Sequence, residues 1–490
     1  MSLLLALDQS TSATKAVLFD DRGAVVDKAS RDHRQLYPQP GWVEHDAEEI
    51  WRNTLDVIRE VATRRDLASL AGLSITNQRE TIVVFDRRTG RPLHPAIVWQ
   101  CRRGEPICRE LSAAGHQELI RRKTGLKLDT YFSGSKLRWL VRHQPDLAAS
   151  LRRGDAVVGT MDAWLVHRLT GGRVFATDPT NASRTLLFDI HRLRWDDELC
   201  ALFDVPMRAL PDVIECTGAF GSTDAAGCLP RPVPIRGVMG DSQASLFAQR
   251  CFQPGTVKAT FGTGTSVLFN LGDRCPPPPE GLVTALAWVI GSRPVYAFEG
   301  LINFSAATVS WLKNQLGLIR SAAETEALAQ AVPDTGGVYL VPAFAGLSAP
   351  WWRPEARAAL VGMTAHTRRE HIVRAALESI AYQLRDVLEL MRAGAGVPLQ
   401  GLHADGGPTA NAFLMQFVAD ICSVELWVSD VPEASALGAA SAGMLGLGLQ
   451  PSLEALAELP RHRTVYRPQM PPDRLGQLLA GWQAAVKRVL

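Results

Sequence analysis

The sequence predicts an α/β protein built as two halves of similar plan. Three observations carry this. Strand-like apolar runs alternate along the chain with runs of helical spacing, which is the pattern of stacked α/β layers. Residues 3–20 read as strand, polar turn, strand, and residues 257–270 read the same way. The 490 residues leave room for roughly two to three domains, each with a sizeable core. The boundary is expected near residue 248, giving an N-terminal domain over 1–247 and a C-terminal domain over 248–490.

The elements follow in order. Strands are expected at 3–7, 15–19 and 24–29, with Asp21-Arg22-Gly23 as the second turn. Residues 48–65 place Ile50, Trp51, Leu55, Ile58 and Val61 on one helical face. Strands at 70–75 and 81–85 flank Asn77-Gln78-Arg79-Glu80. Helices are expected at 106–113, 136–143 and 160–169, and a strand at 174–177. The strand 233–238 leads to Gly240-Asp241-Ser242-Gln243. Strands 257–261 and 266–270 enclose Gly262-Thr263-Gly264-Thr265. Helices are then expected at 306–316, 322–331, 369–391, 411–421, 434–445 and 474–490. The run 434–453, rich in Gly and Ala, is too weakly apolar for a membrane span and reads as a tightly packed buried helix.

Composition excludes several classes. Hydrophobic residues make up 46% and charged residues 21%, an ordinary globular balance. A formal net charge of +2 offers no strong field for nucleic acid or an anionic membrane. The opening apolar run stops at Asp8 with no charged segment before it, so it does not read as a signal peptide. Eight cysteines are scattered without Cys-x-x-Cys or zinc spacing, as expected for reduced thiols in a cytoplasmic protein.

Several turns carry chemistry, and each has a plainer reading beside it. Strand Leu3–Leu7 ends at Asp8, and Thr11, Ser12 and Lys15 follow. Such a turn cradles a phosphate, with Asp8 available to Mg²⁺, or it is a surface hairpin. Gly262 and Thr263 offer unhindered N–H groups and a hydroxyl to a β- or γ-phosphate, or form a simple hairpin turn. Gly406, Gly407 and Asn411 precede a helix, where they either admit a flat nucleoside or punctuate strand, turn and helix. Asp241 is a candidate general base for a hydroxyl, or a helix N-cap. Arg79 and Glu80 can grip neighbouring hydroxyls of a polyol, or sit in an exposed charged turn. Trp99 and Tyr131 suit the C–H face of such a ligand, or pack in a core. No Gly-x4-Gly-Lys-Ser/Thr run is present, so any ATP is not held by a P-loop.

Longer stretches resemble the FGGY carbohydrate kinases over nearly the whole chain. One is Tyr131-Phe-Ser-Gly-Ser-Lys136-Leu-Arg-Trp139-Leu-Val-Arg-His143, and another runs from Ala358 through Gly362-Met363 and His371-Ile372 to Glu378. Pro40–Asp46, Thr76–Thr81, Ala96–Arg103, Thr177-Asp178, Thr180–Thr185 and Pro342–Pro350 resemble the glycerol-kinase branch of that family. The resemblance implies two ribonuclease-H-like domains of the actin and sugar-kinase type around a nucleotide cleft. It implies ATP, Mg²⁺ and transfer of the γ-phosphoryl to a small polyol, glycerol in that branch. It also implies a homo-oligomer, a dimer or tetramer. By matching position Asp241 is the base and Asp8 helps place Mg²⁺. Thr11, Ser12 and Lys15 line the first phosphate turn, and Gly262 and Thr263 the second. Gly406, Gly407 and Asn411 fall on the adenosine side. Arg79, Glu80, Trp99, Tyr131, Asp241 and Ser242 fall at the polyol.

Three positions depart from that branch. Ser242 stands where Gln is usual, Ser266 where Phe is usual, and Ser10 where Gly is usual. The first two shorten the polyol end, which opens an alternative acceptor of tetritol or pentose size, polyol or ketose. A second alternative is a catalytically silent, sugar-responsive binding protein on the same fold.

Overall fold

The computed structural model describes the chain apart from Met1, Ser348, Asp430 and Pro432. Of the quoted family stretches, Pro342–Pro350 includes one position, Ser348, that lies outside the described residues. The chain divides into two compact units. The first comprises Met1–Arg250, Thr284–Tyr296 and Glu433–Pro460. The second comprises Cys251–Val283, Ala297–Pro432 and Arg461–Leu490.

The first unit is organised on a six-stranded sheet. Its order is Ser222–Thr223, Val233–Gly240, Leu70–Asn77, Leu3–Gln9, Ala13–Asp20 and Val25–Asp32. Leu3–Gln9 is buried along its whole length, which suits the unbroken apolar run Leu3–Leu7 rather than an alternating one. It pairs antiparallel with Ala13–Asp20 and parallel with Leu70–Asn77, which in turn pairs parallel with Val233–Gly240. Three polar turns therefore leave the C-terminal ends of three neighbouring parallel strands: residues 10–12, 78–81 and the start of the helix after Gly240. Crevices at such strand ends are where open α/β sheets bind ligands. Leu5, Leu7, Leu73, Ile75, Ile235 and Val238 build the core beneath.

Helix Ala47–Arg64 covers this sheet with Ile50, Val57, Ile58 and Val61. Asp46 caps it by accepting from Glu48 N–H, and Glu48 and Glu49 complement the positive end of its dipole. Helix Ala434–Gly446 is buried, as its small-residue run predicts, and it packs on the same sheet. Its glycines allow the approach. A side chain on Gly438 would meet the backbone of Ala244, and one on Gly443 would meet Ser74.

The second unit repeats the plan. Thr256–Phe261 pairs antiparallel with Thr265–Gly272 and parallel with Gly401–Asp405, beyond which lie Leu426–Ser429 and Arg463–Tyr466. Helix Arg369–Ala395 crosses this unit, and Val373 and Ala376 pack with Leu312, Ile319 and Leu340. The element at 411–421 begins one residue later than expected, at Ala412, because Asn411 is its N-cap. Among the described residues no helix is long and apolar enough to cross a membrane. None of the eight cysteines is in a disulfide.

Candidate active site

In the first unit the turn after Leu3–Gln9 is closed by Ser10. Its N–H and its Oγ both donate to Ala13 O, at 2.9 and 3.0 Å, and Ala13 N–H donates back to Oγ at 3.2 Å. The hydroxyl is thus spent on the turn, and Ser10 needs no left-handed backbone that would demand glycine. Asp8 lies opposite Lys15 across the two strands. Burial pushes the Asp8 carboxyl up to about 7; Lys15 opposes this, while the nearby carboxylates of Asp241 and Glu433 add to it. Lys15 is half-buried and pairs with Glu433 Oε2 at 2.7 Å. That bond and the Asp8 charge outweigh burial and raise the Lys15 amine. Lys28 reaches the other Glu433 oxygen at 3.2 Å.

Arg79 and Glu80 are buried, which removes the exposed-turn reading. Arg79 Nε lies 3.3 Å from Asp241 Oδ1 and 3.5 Å from Glu80 Oε1. Its second nitrogen donates to Gln243 Oε1 at 3.3 Å, and Gln243 Nε2 donates to Leu286 O. Asp241 is the first residue of helix Asp241–Ala248 and not its N-cap, which is Gly240. Its Oδ1 accepts from Ser242 N–H at 2.7 Å. Trp99 Nε1 donates to Thr11 Oγ1 at 2.9 Å, and the Trp99 and Tyr131 rings lie 5.2 Å apart. One cluster in the first unit therefore gathers a carboxylate with a helix start behind it, a guanidinium, a second carboxylate and an aromatic pair.

In the second unit the turn after Phe261 spends carbonyls on a helix start. Ala306 N–H donates to Gly262 O, and Ala307 N–H to Thr263 O. Thr263 is exposed at the tip. The glycine that space demands is Gly264, since a side chain there would meet Ile302 O. Thr260 pairs with Asp405, so the 406–411 turn emerges beside this one. Gly406 has φ +101° and its missing side chain makes room for the Phe261 backbone. Gly407 and Asn411 line a cavity of about 480 Å³ together with Val309, Ser310, Glu326 and Leu414. Asn411 Oδ1 caps the following helix through Leu414 N–H, and its Nδ2 donates to Thr325 Oγ1. The punctuation reading of Asn411 and its place at a nucleoside-sized cavity hold together.

Four residues with a hand in this geometry carried no assigned role in the sequence reading: Gln243, Arg184, Lys136 and Glu433. Arg184 Nε donates to Glu80 Oε1 at 2.7 Å. Lys136 is fully buried and donates to Thr130 O and Tyr131 O. Three of them lie inside stretches already singled out, but Arg184, Gln243 and Glu433 meet Glu80, Arg79 and Lys15 across 104, 164 and 418 residues, beyond any local signal, whereas Lys136 holds carbonyls five and six residues away.

A model of the N-terminal domain of the FGGY family of carbohydrate kinases matches residues 3–248, and one of the C-terminal domain matches residues 257–447. The glycerol kinase of Symbiobacterium thermophilum is 48% identical over 487 residues, covering 99% of this chain and 98% of its own. The structure of Plasmodium falciparum glycerol kinase with ADP superposes with a TM-score of 0.96 at 37% identity, covering 100% of this chain and 98% of the other. A xylulose kinase from Rhodospirillum rubrum gives 0.87 at 26% identity, with 99% of each chain covered. The chain belongs to the FGGY family of carbohydrate kinases. It has the two-domain α/β sugar-kinase fold, and membership implies a phosphotransferase that uses ATP as substrate and a small polyol or sugar as acceptor.

Proposed function

We propose that this kinase transfers the γ-phosphoryl of ATP to a terminal hydroxyl of glycerol, giving glycerol 3-phosphate. The observation that carries the reading is the buried Arg79–Glu80–Asp241 cluster beside Trp99 and Tyr131, in a chain similar along its full length to glycerol kinases. A compact triol offers C–H faces to the aromatic pair and hydroxyls to the charged groups.

Asp241 is the base. It accepts the hydroxyl proton as the new O–P bond forms and the bond from Pγ to the bridging oxygen of ADP breaks. Arg79 pairs with Asp241 and donates to the acceptor; Glu80 accepts from a neighbouring hydroxyl. Ser242 edges the acceptor site with a short hydroxyl. Thr11, Ser12 and Lys15 bind phosphate in the first unit, and Gly262 and Thr263 in the second. Gly406, Gly407 and Asn411 flank the adenosine cavity.

Mg²⁺ fits the residues present. Asp8 is a buried carboxylate whose proton affinity is raised by burial and by two like charges, which a hard cation relieves. Asp8 would hold the ion from the protein side. When bound, Mg²⁺ neutralises charge on the phosphates. The cytoplasm, where ATP is abundant, is the proposed location, and a homo-oligomer is expected by resemblance; light scattering tests the latter.

The direct test is incubation with ATP and glycerol, following ADP release and identifying the product by ³¹P NMR. Glycerol 3-phosphate in step with ADP supports the reading. ADP release without phosphorylated acceptor, or no turnover with any polyol or sugar, removes it.

A further inference from the structure

The segment 177–185 lies outside the catalytic roles assigned above, yet it is tied to three parts of the acceptor site. Asp178 is fully buried and accepts from the N–H groups of Thr180 and Asn181, from Thr180 Oγ1, from Asn181 Nδ2 and from Cys216 Sγ. Thr180 Oγ1, oriented by that bond, accepts from Gly240 N–H at 2.8 Å, one residue before Asp241. Asn181 exchanges two hydrogen bonds with Asn77, two residues before Arg79. Arg184 Nε donates to Glu80 Oε1 at 2.7 Å, and its guanidinium lies 5.1 Å from the Phe132 ring centre, beside Tyr131. Ser133 closes the loop by donating to Glu80 O at 3.1 Å.

The Glu80 carboxylate is used unevenly. Both guanidiniums, Arg184 at 2.7 Å and Arg79 at 3.5 Å, approach Oε1. Among the described residues no hydrogen bond ends on Oε2. Glu80 and Arg184 are about 3% and 1% exposed, so their pairing is hardly screened by solvent. Arg79 is also drawn toward Asp241. Without Arg184, Glu80 Oε1 loses its shortest tether and keeps Arg79 at 3.5 Å, which is itself shared with Asp241.

We propose that Arg184 is a positioning residue that sets acceptor specificity: it pins Glu80 through Oε1, leaving Oε2 to accept from one hydroxyl of the acceptor. The proposal rests on the glycerol-kinase reading of the same site. It makes Arg184 a determinant of which hydroxyls the enzyme requires, without contact to substrate. A held acceptor discriminates against a ligand lacking its partner, because the held group is then left unpaired.

The test compares Arg184→Met, Arg184→Lys and Glu80→Gln with wild type, using glycerol, propane-1,2-diol and propane-1,3-diol. Arg184→Met is expected to raise the glycerol KM by about tenfold or more, with the ATP KM within about twofold of wild type. The preference for glycerol over the propanediol that lacks the gripped hydroxyl should narrow about tenfold, as in Glu80→Gln. Adding Glu80→Gln to Arg184→Met should cost little more, because both remove one interaction. Arg184→Lys, which keeps the buried charge and folds if Met at this position does not, should recover part of the preference. Unchanged glycerol KM and preference in a folded variant overturns the role, as does an equal loss for all acceptors and ATP that tracks a fall in Tm. Failure of wild type to phosphorylate glycerol overturns the proposed function; an active wild type with unmoved variants overturns only the role of Arg184.

Discussion

At the scale of the residue, Asp241 and Lys136 show how burial and charge are used differently. Asp241 is a third exposed, at a helix start, with Arg79 beside it. Asp241→Asn keeps the shape and loses the base. Its kcat is expected to fall by about 10²- to 10⁴-fold with glycerol KM changed far less, read by steady-state kinetics. Lys136 is buried and holds the carbonyls of Thr130 and Tyr131, and burial pulls its amine down to about 8, against the pull of Glu80. The folded protein thus releases this proton before the unfolded chain does, whose value is near 10.5. Between those values the unfolded chain binds more protons, so this residue makes stability rise with pH, and below about 8 its burial is a standing cost. Thermal melts of wild type and Lys136→Met across pH 7 to 10.5 should show the wild type gaining on the variant over that window. A constant difference would contradict the assignment. The members of the cluster could be singled out in sequence because Asp241, Arg79, Glu80 and Tyr131 sit in or beside recognisable polar turns. Their supports were not. Arg184 meets Glu80 across 104 residues of sequence, and Glu433 meets Lys15 across 418.

At the scale of the element, the strands and helices followed from apolar spacing, with ends displaced where a polar residue takes the cap. The helix expected over 369–391 runs Arg369–Ala395, ending at Gly396 with φ +65°. The hairpin strands Val283–Ile290 and Arg293–Ile302 were passed over, since their runs lack the alternation of a half-buried strand. Two glycines test how elements are placed. Gly406 combines φ +101° with close approach of the Phe261 backbone. Gly406→Ala should displace the turn at the cavity proposed for adenosine and raise the ATP KM several-fold, leaving the glycerol KM nearly unchanged. Gly438 lets helix Ala434–Gly446 lie against Ala244 in the helix that begins with Asp241. Gly438→Val overpacks that contact and should cost about 1–3 kcal/mol or more, with kcat falling as Asp241 shifts. A variant with wild-type Tm and kcat would show that the contact is soft.

At the scale of the molecule, the two repeated strand–turn–strand plans were legible, because each occupies one short stretch. The way the chain is shared between units was not. Glu433–Pro460, late in sequence, is grouped with the first unit, and its helix packs on Val233–Gly240, Leu70–Asn77 and Leu3–Gln9. Apolar patterning marks this helix as buried without saying against what. A fragment ending at Arg250 lacks it and exposes the apolar surface it covers. Such a fragment is expected to aggregate or bind hydrophobic dyes, whereas co-expression with 433–460 should improve its recovery. A well-folded, monomeric 1–250 fragment would contradict this division.

The claim on which the rest depends is that the first-unit cluster selects glycerol, despite Ser242 and Ser266. A panel of kcat/KM values with ATP and glycerol, erythritol, ribitol and xylulose tests it most directly. Glycerol is expected to lead by at least about tenfold, since a longer acceptor leaves hydroxyls unmatched beside Arg79 and Glu80. A four- or five-carbon acceptor with the highest kcat/KM would contradict it and assign the space left by the two serines to the extra carbons.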